Sequence, residues 1–465
     1  MLSSIVKAKS YCHDVTRRSC KFCHVINNMR AIRKRKCICC LLLVLLVVVT
    51  LMLTQTIVLD IATFTSEEFQ SDVPAPNTVP LPGQLSYLGF LVRDNVTHAP
   101  ATCAPVRNIA FVKTHKAGSS TIANVLQRYG ITNNLNFALP NTKLHSYGYN
   151  YISRAGEVLS KKYVYPLPEG EEYNILFNHA IYNRTAFRMI MPGDAVYITI
   201  LREPFQQFVS TFEYYHVDRF IGKRVPSLIN ATNPVSTYLA TPRRFERGPS
   251  MFSYIKNKQA EDLGLRKEQF FSNANLKEYI SLMDEDFKLV MILEYFDESL
   301  LLLKHELCWT IQDILYIPLN ANKKKPVRNF TDADHENHRR MSHLDYALYY
   351  HFLKVFAQKL KAQSPDFFRE LAHFKKLLEG VKGSCRSGTS LVVSETRWNH
   401  PFVIDRRDCE LMLMSELAGL DLLYKRAGRV PGFEKHPTIV RQGKPSPTRE
   451  DKGKSGEYNP ERVTH

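Results

Sequence analysis

Long apolar stretches without charge are scarce in this chain of 465 residues. Only Cys37–Leu59 lacks every charged residue and consists mostly of Leu, Val and Ile, and it has the length that a helix needs to cross a bilayer core. The absence of a second such stretch excludes a multi-pass membrane protein, so we expect a single-pass anchor. The overall apolar content of 44% indicates a globular protein rather than a disordered chain.

Positive charge is also missing after this stretch until Arg93, whereas Arg30 and the basic run at 33–36 come just before it. Because Lys and Arg favour the cytoplasmic side, we expect a cytoplasmic tail at 1–36, a signal anchor at 37–59 and the rest of the chain in the lumen. A cleaved signal peptide is the alternative, but the apolar stretch is too long for one. The net charge of +17 suits an anionic ligand, although it is equally typical of general solubility.

Cys20 and Cys23 form a Cys-x-x-Cys pair, but the other pair with this spacing, Cys37 and Cys40, lies within the predicted anchor, which argues against a zinc site. Past the anchor only four cysteines occur, and in an oxidising lumen they permit two disulfides with three possible pairings: Cys103, Cys308, Cys385 and Cys409. The glycosylation sequons all follow the anchor, in agreement with the expected orientation, at Asn95, Asn183, Asn230 and Asn329.

Internal repeats are absent, and composition divides the lumenal part into three segments. Residues 60–104 are rich in Pro, Ser and Thr and predict a stem. Residues 105–424 predict one globular domain, and 425–465, rich in Gly, Pro, Lys and Glu, predict a disordered tail. Strands are expected at Asn108–Lys113, Tyr173–Phe177, Ala195–Leu201 and Phe287–Leu293, and helices at Thr121–Tyr129, Pro204–Tyr215, Ser299–Trp309 and Met341–Lys361. This alternation predicts an α/β fold with a parallel sheet flanked by helices.

The loop between the first strand and the first helix carries the clearest chemical signal. It lacks the spacing of a Walker A loop, but a loop that leads from a buried strand into a helix points backbone N–H groups at an anion. Gly118 allows close backbone approach, Ser119, Ser120 and Thr121 supply hydroxyl donors, and Lys113 and Lys116 supply charge. The other residues of the expected binding loop are Thr114, His115 and Ala117. An ordinary capped turn is the structural alternative.

Arg202 follows the third predicted strand, and Ser210 comes eight residues later on the next helix. Carboxyl ends of parallel strands meet at one edge of a sheet, so Arg202 is expected near the first loop. An Arg fork and a hydroxyl together are suited to holding a terminal phosphate. Taken alone, an Arg at a strand end before a Pro is more often structural.

Four segments together resemble the galactose-3-O-sulfotransferase family: Lys113–Thr121, Asn134–Pro140, Ile200–Pro204 and Leu293–Leu303 with Leu307–Trp309. The resemblance implies the P-loop-like fold of sulfotransferases that use PAPS (3'-phosphoadenosine 5'-phosphosulfate). It implies transfer of the sulfuryl group to a galactose 3-hydroxyl on a glycolipid or glycoprotein, by an anchored enzyme of the Golgi membrane. Two departures from the family pattern stand out, Ala117-Gly118 in place of Thr-Ala and Glu203 in place of Asn.

The resemblance also implies residue roles. The loop 113–121 would hold the 5'-phosphosulfate, Arg202 and Ser210 the 3'-phosphate, and Lys116 the bridging oxygen as it leaves. His179, just after the second predicted strand, is the expected general base; His115 is the second choice and Glu213 the third. We expect neither a metal nor a nucleic-acid partner, and the sequence leaves the acceptor's carrier and the oligomeric state open.

Two other classes of protein have features in common with this sequence. A metal-dependent glycosyltransferase would use an Asp-x-Asp motif, and Asp284-Glu-Asp286 and Asp332-Ala-Asp334 have that spacing. A non-catalytic glycan-binding protein would not need the combination of Lys116, Arg202 and Ser210. His335 and His338 have a spacing seen in zinc sites, but neighbouring arginines favour a solvated helix face.

Overall fold

A parallel four-stranded sheet lies at the centre of the described part of the chain. The structure is a computed structural model that describes residues 103–141, 151–153, 159–222, 225–245, 255–265, 273–319 and 328–428. These residues all belong to one compact unit, Val79–His465; the other unit, Met1–Thr78, lies outside them. The predicted tail, anchor and stem up to residue 102, the Asn95 sequon and residues 429–465 also lie outside. Within the described ranges no helix is long and apolar enough to cross a membrane.

The sheet consists of β1 (Ile109–Val112), β2 (Ile175–Leu176), β3 (Val196–Leu201) and β4 (Phe287–Ile292) in the order β2-β1-β3-β4. Every neighbouring pair is parallel. The strands are almost entirely buried, as expected for a sheet covered by helices on both faces. The predicted α/β fold with a parallel sheet is therefore confirmed. Parallel pairing also brings the carboxyl ends of all four strands to one edge, where α/β proteins bind ligands.

The helices, numbered in chain order, pack around this sheet. They are α1 (Ser119–Thr132), α2 (Arg184–Arg188), α3 (Pro204–Tyr214), α4 (Val217–Gly222), α5 (Pro226–Ile229), α6 (Pro234–Ala240), α7 (Pro242–Phe245), α8 (Lys258–Asp262), α9 (Asn273–Asp286), α10 (Phe296–Leu307), α11 (Asp332–Met341), α12 (His343–Lys361), α13 (Pro365–Ser387), α14 (Arg406–Leu413) and α15 (Glu416–Arg426). An antiparallel pair, β5 (Leu391–Val393) and β6 (Phe402–Ile404), precedes α14.

Helix ends differ from the sequence prediction where tertiary contacts decide them. The helix predicted at Thr121–Tyr129 extends from Ser119 to Thr132 and includes Gly130, which makes room for Phe137. A Cβ on Gly130 would lie 2.2 Å from the Phe137 ring. The helix predicted at Met341–Lys361 begins instead at His343, because Ser342 lies between α11 and α12.

The two disulfides resolve the pairing that the sequence left open. Cys103 is bonded to Cys308, which ties the entry to β1 to the end of α10, and Cys385 is bonded to Cys409, which ties α13 to α14. Cys308 ends α10 in a left-handed conformation with φ 54°. That conformation explains why α10 stops before Trp309, the predicted end. The second disulfide fixes α14, and with it the C-terminal part of the described chain, to the body of the domain.

Candidate active site

The loop from β1 to α1 adopts the strand–loop–helix form that the sequence predicts. Two of its residues have positive φ, Lys116 at 59° and Gly118 at 78°. At Gly118 a side chain is excluded, since a Cβ would lie 2.6 Å from the Leu293 side chain. The Ser119 hydroxyl donates to the Thr114 carbonyl over 2.6 Å and holds the loop closed. The first turn of α1 contains no acidic residue, and no described side chain caps its N-terminus. The Thr121 amide donates to the Gly118 carbonyl over 3.0 Å, so the amides of Ser119 and Ser120 are the ones available to an anion.

Arg202 lies against this loop, as the parallel sheet requires. Its guanidinium donates to the Lys116 carbonyl over 3.2 Å. The Gln259 side chain bonds both the amide N–H and the carbonyl of Arg202, at 2.8 and 2.9 Å. Gln207, on α3, donates to the His115 carbonyl over 3.0 Å. The predicted meeting of the two strand ends is thus observed; Gln207 links them, and Gln259 fixes the backbone of Arg202. Burial lowers the pKa of Arg202, whereas the nearby carboxylates, Glu294 first, act in the opposite direction.

Ser210 and Tyr214 are one helical turn apart on α3 and therefore share a face. The Lys116 ammonium lies 3.5 Å from the centroid of the Tyr214 ring. That contact brings the face of Ser210 and Tyr214 towards the loop. Ser210 is half-buried, and Tyr214 is 59% exposed. On this side the site is open to solvent.

Two histidines meet at the carboxyl ends of β1 and β2. The rings of His115 and His179 stack with centroids 4.0 Å apart. Nδ1 of His115 donates to Asp262 over 2.8 Å, and Nε2 lies 2.8 Å from the Tyr151 hydroxyl. Nδ1 of His179 lies 3.2 Å from the Lys113 carbonyl, which accepts a hydrogen bond only. In the neutral ring the proton is therefore on Nδ1, and Nε2 of His179 carries the lone pair.

Burial keeps both imidazoles neutral. It lowers the pKa of His115 and of His179 well below the usual 6.5. After burial, the nearby lysine charges, Lys258 first, also lower the pKa of His115. The neighbouring His115 also lowers the pKa of His179. Burial raises the pKa of Asp262, while Lys258, 3.1 Å away, acts in the opposite direction. A neutral imidazole with a free Nε2 is the form that accepts a proton.

The other two candidate bases are already engaged. His115 has hydrogen-bond partners at both ring nitrogens, Asp262 and Tyr151. Glu213 is paired with Arg328 at 3.1 Å. His179 therefore has the most suitable geometry of the three. Glu203, one of the two departures from the family pattern, caps α3 by accepting from the amides of Phe205 and Gln206, at 3.1 and 2.7 Å.

The remaining loop residues face the protein. Lys113 is buried, and its ammonium contacts the Glu416 carboxylate; Ser120 donates to the same carboxylate over 3.0 Å. Thr114 donates to the Ile200 carbonyl over 2.5 Å, and the Thr121 hydroxyl accepts from the Leu319 amide over 3.3 Å. Ala117 is buried. Sequence reasoning missed Tyr151, Gln259, Asp262 and Glu416, because each reaches the loop or Arg202 only through the fold.

The motifs of the rival interpretations have structural partners. Asp286 is bonded to Arg184 and Tyr182, and Asp334 caps α11 in a capping box with Thr331. His338 bonds the Tyr346 hydroxyl at 3.0 Å, and burial lowers its pKa to about 3. Among the described residues no cluster of three His, Cys, Asp or Glu is placed to hold a metal ion. The sequons at Asn183, Asn230 and Asn329 are exposed, as a glycan requires.

Comparison with known proteins points to a single family. A family profile described as galactose-3-O-sulfotransferase matches residues 26–402. The chain is 34% identical to human galactosylceramide sulfotransferase over 291 residues, which is 62% of this chain and 66% of that protein. It is 33% identical to pig galactose-3-O-sulfotransferase 2 over 285 residues, 59% of this chain and 68% of that protein. Mouse galactose-3-O-sulfotransferase 3 is 34% identical over 275 residues, which is 56% of this chain and 61% of that protein. The match thus spans about two thirds of the length of these relatives, and the chain belongs to the galactose-3-O-sulfotransferase family.

Proposed function

We propose that this protein transfers the sulfuryl group of PAPS to the 3-hydroxyl of a galactose on a glycolipid or a glycoprotein. The observation that carries the proposal is the meeting of three groups at one sheet edge: the uncapped N-terminus of α1, the Arg202 guanidinium and the His115–His179 pair. An anion cradle beside a neutral histidine base is the combination that sulfuryl transfer to a hydroxyl needs. The family membership supports the same reaction.

The residues present fit a donor with two phosphate groups. The amide groups at the start of α1 and the Lys116 ammonium suit the 5'-phosphosulfate. Arg202 and Ser210, on the open side of the site, suit the 3'-phosphate. Bound PAPS would supply the sulfuryl group and a phosphate leaving group. The acceptor hydroxyl would be the nucleophile.

In this mechanism His179 removes the proton of the galactose hydroxyl at Nε2. Its Nδ1–H, held by the Lys113 carbonyl at 3.2 Å, fixes the tautomer in which Nε2 is free. Lys116 holds positive charge at the loop, where negative charge develops on the departing oxygen. No metal is needed for these roles, since the lysine, the arginine and the helix amides supply the positive field.

The compartment follows from the same proposal. Two disulfides and three exposed sequons favour an oxidising, glycosylating lumen. With the predicted anchor at 37–59, we propose a single-pass Golgi membrane protein whose catalytic domain, residues 105–424, is lumenal. The partners are then a membrane and a galactose-terminated acceptor, without nucleic acid.

The test is transfer of labelled sulfate from PAPS by the full chain to a panel of galactosides. The panel pairs a galactosylceramide and a galactose-terminated glycan with the matching 3-deoxygalactosides. We expect labelling of a 3-hydroxyl acceptor and none of its 3-deoxy partner. Equal labelling of the 3-deoxy compound, or transfer that needs a divalent metal and a nucleotide sugar, would contradict the proposal.

A further inference from the structure

Glu416, the first residue of α15, reaches the loop from the far end of the chain. One oxygen of its carboxylate contacts the Lys113 ammonium, and the other accepts a hydrogen bond from the Ser120 hydroxyl over 3.0 Å. The side chains of Lys113 and Glu416 are 1% and 11% exposed. A single carboxylate therefore joins two residues of the loop, across about 300 positions of sequence.

The surrounding contacts hold this carboxylate in place. The Ser415 hydroxyl caps α15 by accepting from the Ala418 amide over 3.3 Å. Asn124, on α1, donates to the Leu411 carbonyl over 2.8 Å and so fixes the segment before α15. One turn further on, Gly419 lies against Gln127 of α1, since a Cβ there would be 2.4 Å from the Gln127 amide oxygen. Helix α15 is thus packed on the helix whose first turn carries Ser120.

The burial of its charges distinguishes this contact from an ion pair on the protein surface. A buried ammonium without a partner costs several kcal/mol, and a carboxylate at contact distance offsets that cost. The same carboxylate leaves Ser120 with one hydroxyl orientation in the first turn of α1. Because Lys113 is buried, its ammonium does not reach the solvent. Its charge affects the loop through the contact with Glu416.

We propose that Glu416 is a positioning residue of the donor site, which holds Lys113 and Ser120 in the arrangement that receives the phosphosulfate. The inference rests on the proposed function and adds a residue to it from beyond residue 402, where the family profile ends. The opposite role is a competitor that occupies the anion site until the donor displaces it. The burial of Glu416 and the packing of α15 favour the positioning role.

The experiment measures the affinity of the full chain for PAPS by calorimetry, together with the KM of each substrate and the thermal unfolding midpoint. We expect Glu416→Gln to weaken PAPS binding about tenfold, on the scale of one lost charged hydrogen bond, with the galactoside KM unchanged. Ser120→Ala should weaken binding as well. Because the two residues act through one contact, the double variant should bind PAPS no more weakly than the worse single variant.

Two further variants keep the test decisive. Asp421→Asn removes an exposed carboxylate from the same helix and should leave PAPS affinity unchanged. If Glu416→Gln does not fold, Lys113→Met combined with Glu416→Met removes both buried charges, and the folded double variant should still bind PAPS more weakly. Unchanged or tighter binding by a folded Glu416 variant would overturn the positioning role. Failure of the wild-type chain to bind PAPS would instead remove the proposed function, and this inference with it.

Discussion

On the β1–α1 side of the candidate site Lys113, Thr114 and His115 are buried, whereas on the β3–α3 side Arg202 and Ser210 are half-exposed. The buried side has internal partners for its polar groups, among them Asp262 and Glu416. On the other side Arg202 and Ser210 are only partly buried, and the Arg202 guanidinium contacts the Lys116 carbonyl. The difference indicates that the fold itself fixes one side, while the other is completed by the ligand.

This contrast separates two kinds of mutational effect. Removing a partner on the buried side leaves a charge or a donor without compensation, so it costs folding free energy as well as activity. Removing a group on the half-exposed side leaves the folded protein nearly as stable, because water replaces the lost partner. Stability and donor affinity, measured on the same variants, therefore distinguish the two sides.

The largest stability effect is expected at Asp262. It accepts from the amide and ring of His115, at 2.7 and 2.8 Å, and lies 3.1 Å from the Lys258 ammonium. Asp262→Ala should lower the free energy of unfolding by about 3 kcal/mol, since it leaves buried groups unpaired. Urea denaturation measures this directly. Glu336→Ala, which removes an exposed carboxylate paired with Arg339, is the matched control and should cost less than about 1 kcal/mol. Equal losses in the two variants would contradict the contrast.

Arg202→Ala should affect binding rather than folding. Loss of a charge-assisted contact to the 3'-phosphate should weaken PAPS binding by about 1.5–3 kcal/mol. The variant should then no longer distinguish PAPS from adenosine 5'-phosphosulfate, because the second nucleotide lacks that phosphate. Calorimetry with both nucleotides measures the preference, and urea denaturation should give a free energy of unfolding close to the wild-type value. A retained strong preference for PAPS would place the 3'-phosphate elsewhere.

The smallest effect concerns pH. The folded-state pKa of His179 is lowered below 6.5, so as the pH falls through that value the unfolded chain takes up a proton that the folded chain does not. Stability therefore falls with pH, and one such histidine accounts for about 1 kcal/mol between about pH 6.5 and about pH 5.5. Asp262, with its raised pKa, acts in the opposite direction. His179→Gln should reduce the loss by about 1 kcal/mol in urea titrations across this range. An unchanged pH dependence would mean that His179 is protonated in the folded state.

Sequence reasoning succeeds where the signal is local. Buried strands are short apolar runs, and β1, β3 and β4 lie within the predicted ranges. Once those strands are placed, the positions of the loop before α1 and of Arg202 at the end of β3 are known. Parallel pairing of the strands then brings the two together. Their meeting at one sheet edge was predictable because it depends on topology alone.

The site residues that sequence reasoning missed belong to segments whose own sequence gives no sign of their role. Gln259 and Asp262 belong to the short helix α8, whose sequence Lys-Gln-Ala-Glu-Asp is typical of a solvated surface, yet both side chains are buried beneath the site. Glu416 lies close to the predicted disordered tail. Tertiary packing decides the environment of each, so periodicity and composition could not identify them. The pairing of the four cysteines was undetermined for the same reason.

The most direct test of the account is single-turnover transfer of labelled sulfate from PAPS to a galactoside, comparing wild type with His179→Ala. The account predicts that the rate constant of transfer falls by roughly 10²–10⁴, as for loss of a general base, while the dissociation constant of PAPS changes little. The exposed His400→Ala is the matched control and should transfer at the wild-type rate. Turnover of His179→Ala near the wild-type rate would contradict the account and assign the base to another group.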